Sequence, residues 1–277
     1  MKISKKLFSV FCCLSLSFIL CLAAIAGDIA IYGDSQHNPE IQRKLVQTIL
    51  FFKPSVVFRT GDIIDNGGDP KLWEAFRDIH GPLLKTTEYF PALGNHERNS
   101  PLYYRNFGLP DNRRWYSLDR FGIHFVVLDS NSKLDPGSEQ YKWLESDLET
   151  SGPDAKFIIA IFHHPLFDVA GRHKSDEKKI KRFLLPVFKR HGVSAVFSGH
   201  SHVYERFKRK GIYFIVTGGG GSNLDRQTRP DPHLLKFRSV YHFCLLRPED
   251  NFLTVKVIDI DSNTIDEFKM PARRQAH

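Results

Sequence analysis

Five short apolar runs in this chain each close on a residue able to bind a metal ion. IAIYGD ends at Asp34, SVVFRTGD ends at Asp62, and YFPALGNHE reaches Asn95 and His96. KFIIAIFHHP reaches His163, and VSAVFSGHSH reaches His200 and His202. Each run is β-branched or aromatic and is closed by glycine or proline, the pattern of a buried strand. Ligands of α/β sheets gather beyond the carboxyl ends of the strands, so five such ends point at one place. Carboxylate, amide and imidazole donors together suit two hard or borderline divalent ions better than a thiolate zinc site. The chemistry such a set supports is metal-assisted hydrolysis.

The elements that must hold these residues alternate along the chain. Strands are expected at 28–33, 55–60 and 89–93, and a hairpin over 115–118 and 123–128. Helices are expected over 39–52, with Asn38 as its cap, and from Pro70 to about Ile79. Tyr141, Leu144 and Leu148 mark a helix over 138–148, and another runs over 176–189 with its pattern interrupted by Pro186. Beyond His202 the pattern becomes antiparallel, with strands at 211–216, 241–246, 252–260 and 264–270. Mixed strands with interleaved helices predict an α/β fold, a four-layer α/β/β/α sandwich of two mixed sheets.

Residues 1–26 have the form of a secretory signal peptide. Lys2, Lys5 and Lys6 precede an apolar stretch from Leu7 to Leu22, and Ala24-Ile25-Ala26 is a small-x-small cleavage site. Cleavage would leave 27–277 as a single catalytic domain, secreted or periplasmic, with no membrane span. Net charge would fall from +8 to +5, since the leader carries three lysines and no acid. Only Cys244 would remain, so no disulfide could form within the chain, and its apolar neighbours mark it as a core residue. The basic patches at Arg113-Arg114, 178–182 and 206–210 read as solvated surface and have no form of a nucleic-acid module.

The segments GDSQ (33–36), GDIIDNG (61–67), GNHE (94–97), HHP (163–165) and GHSH (199–202) resemble, in order, the motifs of the calcineurin-like metallophosphoesterases. GHSHVYER (199–206) and the 115–118 hairpin are most similar to the purple acid phosphatase branch. The resemblance implies that Asp62 bridges two ions. Asp34, Gln36 and His202 would hold the first, and Asn95, His163 and His200 the second. A hydroxide held between the metals would attack phosphorus, and His96 would serve as catalytic acid or transition-state donor. The substrate would be a phosphorylated small molecule, with phosphomonoesters first. A phosphodiesterase for a cyclic nucleotide, nucleotide sugar or lipid headgroup is the alternative, followed by a non-catalytic metal-binding secreted protein.

Two positions depart from the purple acid phosphatase pattern. Gln36, a neutral donor, stands in the first motif, and Asp65 stands where that branch has its tyrosine ligand. Manganese, zinc, iron and magnesium therefore all remain as metals. Asp65-Asn66-Gly67 also lacks the arginine found there in Ser/Thr protein phosphatases. His163 and His164 are adjacent and would face opposite ways from an extended strand, leaving His164 as the alternative ligand. His37 would point away from Asp34. The Gly218–Gly221 stretch reads either as a plain turn or as a rim of the site.

Overall fold

The computed structural model describes residues 27–109, 113–150, 152, 154–170 and 174–273. The expected leader and the residues Arg172 and His173 lie outside these. The strands are β1 (Ile29–Tyr32), β2 (Val56–Arg59), β3 (Glu88–Pro91), β4 (Tyr116–Arg120), β5 (Ile123–Val127), β6 (Phe157–Ile161) and β7 (Ala195–Ser198). They continue as β8 (Tyr204–Arg209), β9 (Ile212–Thr217), β10 (Leu234–Arg238), β11 (His242–Pro248), β12 (Phe252–Asp259) and β13 (Thr264–Pro271). The helices are α1 (Pro39–Phe52), α2 (Pro70–Thr86), α3 (Pro101–Phe107), α4 (Glu139–Thr150) and α5 (Lys174–Arg190).

Two mixed sheets form, ordered β13-β12-β11-β1-β2-β3 and β10-β8-β9-β7-β6-β5-β4. Period-two alternation explains how they stack. Ile29 and Ile31 of β1 enter the core between the sheets, whereas Ala30 and Tyr32 face α1 and α2. On the second sheet, Phe157, Ile159 and Ile161 of β6 enter the same central core, and Ile158 and Ala160 meet Leu144 of α4 and Leu184 of α5. Strands buried on both faces read as continuous apolar runs. The result is the expected α/β/β/α sandwich.

Strand direction places the site. β1, β2 and β3 run parallel, and so do β5, β6, β7 and β9. Their carboxyl ends deliver all five motif loops. Three elements escaped the sequence: β8, β10 and α3. The Arg206–Lys210 patch, expected as open surface, includes most of β8, where Arg206 pairs with Asp266 at 2.8 Å. α2 also runs past its expected end, through Pro82 to Thr86, and α5 runs through Pro186.

Candidate metal centre

The backbone turns sharply where it leaves the strands. Asp34, Asp62 and His200 all adopt left-handed conformations, with φ of 59°, 50° and 70°. Such angles are uncommon for side-chain-bearing residues and mark positions held by their surroundings. Glycine makes the close packing possible. A Cβ at Gly94 would lie 2.2 Å from Asp62 Oδ1, and one at Gly199 would lie 2.2 Å from Asp34 Oδ2. The GNHE and GHSH glycines therefore let neighbouring backbones approach the carboxylates.

The donor atoms converge. Asp34, Asp62 and His163 offer ligand atoms within 4.8 Å of one another, and so do His163, His164 and His200. His163 Nε2 is 3.2 Å from Asp62 Oδ2, 2.9 Å from Asn95 Oδ1 and 3.0 Å from His200 Nδ1. His202 Nε2 stands 3.7 Å from Asp34 Oδ1. His96 Nε2 stands 3.8 Å from Asp62 Oδ2. All of these except the exposed Asn95 and half-buried His96 are buried. Asp34 Oδ2 and Gln36 Oε1 are buried oxygens with no hydrogen-bond partner. Buried polar atoms are almost always satisfied, so the orphaned Asp34 oxygen within this donor set fits a cation ligand.

Three imidazoles are oriented from behind by backbone carbonyls. His163 Nδ1 donates to Thr60 O at 2.9 Å, His202 Nδ1 to Asn223 O at 2.8 Å, and His96 Nδ1 to Asp65 O at 2.8 Å. Each arrangement turns Nε2 toward the cluster, the usual way a metal-binding histidine is held. Burial pushes the Asp34 carboxyl well up, with His163 acting against it and Asp62 adding to it. Burial also pushes Asp62 up, but His163 and the His96 amide outweigh it and hold that carboxyl at about 2. Burial lowers His163, yet Asp62 overcomes it and lifts the imidazole to about 9. A cation between these groups would take the place of that proton.

His163 and His164 do not face opposite ways. β6 ends at Ile161, so the alternation of an extended strand no longer applies. Their ring centres are 4.9 Å apart, and His164 lies 4.5 Å from His200. His37 is exposed and reaches Asp65 Oδ1 at 3.3 Å. The Gly218–Gly221 stretch is buried and packs behind Asp34: Gly220 donates to Gly33 O at 2.8 Å.

Three supporting residues were missed by sequence reasoning. Glu97 accepts the amides of Gly94, Asp62 and Ile63 at 2.6, 3.0 and 2.7 Å, tying the GNHE loop to the GDIID loop. Burial and Asp62 raise its carboxyl to about 7. Glu205 does the same for the loop after β6, accepting Val169 and Ala170 amides at 3.1 Å. Arg59, fully buried, donates to Ser35 Oγ at 2.5 Å and to Tyr89 Oη at 2.8 Å, and lies over the Tyr32 ring. The one available hint was a charged residue inside an otherwise apolar or glycine-rich motif.

The family described as calcineurin-like phosphoesterase matches residues 27–204. Probable purple acid phosphatase 20 of Arabidopsis thaliana is 26% identical over 244 residues, covering 78% of this chain and 56% of the relative. Purple acid phosphatase 18 of the same plant is 29% identical, covering 60% and 44%. The chain thus spans about half the length of these curated relatives. The structure of purple acid phosphatase PPD1 from yellow lupin (Lupinus luteus) seeds shares the fold, with a TM-score of 0.78 and 21% identity over 90% of this chain and 54% of that one. GAP50, described as the anchor in the inner membrane complex of Plasmodium, also shares it, with a TM-score of 0.74 and 17% identity over 90% and 89%.

Proposed function

The chain belongs to the calcineurin-like phosphoesterase family, and on that premise we propose that it hydrolyses phosphomonoesters. The observation that carries this reading is the convergence of Asp34, Asp62, His163 and His200 within one buried cluster, with His96 Nε2 3.8 Å from Asp62. A fold shared with an anchor protein does not by itself imply catalysis, so the site has to carry the claim.

Asp34, Gln36 and His202 would hold one cation, Asn95, His163 and His200 another, and Asp62 would contact both. Such ions, when bound, neutralise phosphoryl oxygens and acidify the attacking water. The chain's own contribution is orientation and a proton. Thr60 and Asn223 carbonyls hold His163 and His202 with Nε2 inward. Asp65 fixes His96 through its carbonyl at 2.8 Å and its carboxylate at 3.1 Å from Nδ1. His96 Nε2 then faces the cluster and delivers a proton to the leaving oxygen as the P–O bond breaks.

Parallel assays with p-nitrophenyl phosphate and bis(p-nitrophenyl) phosphate, on protein of measured metal content, test this. Monoester turnover should exceed diester turnover. Faster diester turnover would make the chain a phosphodiesterase, and no turnover of either by metal-loaded protein would leave it a metal-binding protein. Secretion or periplasmic export is the companion proposal, supported by the pattern of residues 1–26. Amino-terminal sequencing of the exported protein should begin at Gly27.

A further inference from the structure

The His164 imidazole faces two environments. It belongs to the cluster with His163 and His200. It also lines a cavity of about 510 Å³ together with Ser130, Lys133, Leu134, Ile180 and Phe183. His164 is therefore common to the cavity lining and to the donor cluster. Leu134 and Ile180 are buried and Phe183 is half-buried, which gives the cavity an apolar side that includes an aromatic ring. Ser130, Asn131, Ser132, Lys133, Asp135 and His164 supply the polar remainder of the lining. Ser130 Oγ is 2.8 Å from His164 Nδ1 and accepts the His164 amide at 3.0 Å. That pair of contacts holds the imidazole in place between the two spaces.

The geometry points to this cavity as the subsite for the leaving group of the substrate, and to an aromatic phosphoester as the class it selects, a role that rests on the phosphoesterase reading above. A phosphoryl group seated at Asp62 and His163 must direct its ester substituent away from the buried ligands. The space beside His164 adjoins that point and lies within the usual volume range of small-molecule sites. A ring placed there covers Leu134 and Ile180 and meets Phe183, gaining both apolar burial and aromatic contact. A methyl or glyceryl group is too small to cover that wall. Ser130 and Lys133 can meet polar substituents on the ring edge.

Phosphonates test the subsite without turnover, because their P–C bond is not hydrolysed. With metals bound, 1-naphthylphosphonate should bind about tenfold or more tighter than methylphosphonate by calorimetry, the worth of burying part of an aromatic ring. Phe183→Ala should reduce that preference about fivefold. If Phe183→Ala does not fold, Ser132→Trp, which places an indole on the cavity lining, should reduce the preference likewise. Equal affinity of the native protein for the two phosphonates, or a preference unchanged by the substitution, would overturn the subsite. If neither phosphonate binds and no phosphate ester is hydrolysed, the phosphoesterase reading fails and the subsite with it.

Discussion

The buried Glu97 carboxylate accepts the backbone amide of Asp62 at 3.0 Å, so the candidate bridging residue is positioned by a side chain from the neighbouring motif. The same carboxylate accepts Ile63 and Gly94 amides. Glu97→Ala leaves these buried donors unsatisfied, at about 1–3 kcal/mol each. The variant should therefore lose about 3 kcal/mol or more of stability in urea unfolding, and should bind metal more weakly. An unfolding midpoint equal to that of the native protein would remove Glu97 from this role.

Asp62→Asn keeps the side-chain volume and removes the charge. If Asp62 contacts both cations, elemental analysis should show most of the metal lost while circular dichroism stays native. Full metal content together with native activity would contradict the bridging role.

His96→Ala should keep both metals and lower turnover by about 10²- to 10⁴-fold, the usual size of a lost acid–base group. The loss should be smaller for nitrophenyl phosphate than for an alkyl phosphate, because nitrophenolate needs little protonation. An equal loss for both would assign His96 to phosphate positioning. Loss of metal along with activity would make it a ligand.

Ferric loading should leave the protein colourless. Asp65 is half-exposed and occupied with His37 and His96. Tyr32 and Tyr204, two tyrosines beside the motifs, are engaged elsewhere: Tyr32 Oη faces His80 Nδ1 at 3.1 Å, and Tyr204 Oη donates to Asp266 at 2.7 Å. A tyrosinate charge-transfer band would show that one of them reaches the metal.

His124 lies between Asp119 at 2.8 Å and Asp147 at 2.9 Å. Burial pulls its imidazole down, but the two carboxylates outweigh burial and raise it above the ordinary 6.5. A raised folded-state pKa means that the folded protein holds this proton more tightly than the unfolded chain does. The stabilisation is complete below 6.5 and is lost as pH climbs through the raised value. Denaturation midpoints should accordingly fall as pH rises above 6.5, and His124→Gln should flatten that slope. An unchanged slope in the variant would assign the pH dependence to another group.

The sequence by itself determined which residues could do chemistry and which strands deliver them. Asp34, Asp62, His163 and His200 close apolar runs, and runs buried on both faces are legible because every position is apolar. Asn38 capped α1 as its side chain required, accepting the Ile41 amide. Cys244 is buried as its neighbours implied. Less periodic segments were not legible: β8 carries Glu205 and Arg206, whose charges conceal a strand with one side on the core.

Tertiary structure decided what no local pattern encodes. It brought His164 alongside His163 and His200, because the chain bends after Ile161 instead of continuing as a strand. It made Glu97, Glu205 and Arg59 the supports of the motif loops, through partners 33–35, 35–36 and 24–30 residues away in sequence. It also placed the cavity beside His164, walled by residues from three separate segments. Spacing along a chain records which side chains share a face of one element. Which faces meet is settled only when the sheets pack, since burial and hydrogen-bond satisfaction are properties of the whole assembly.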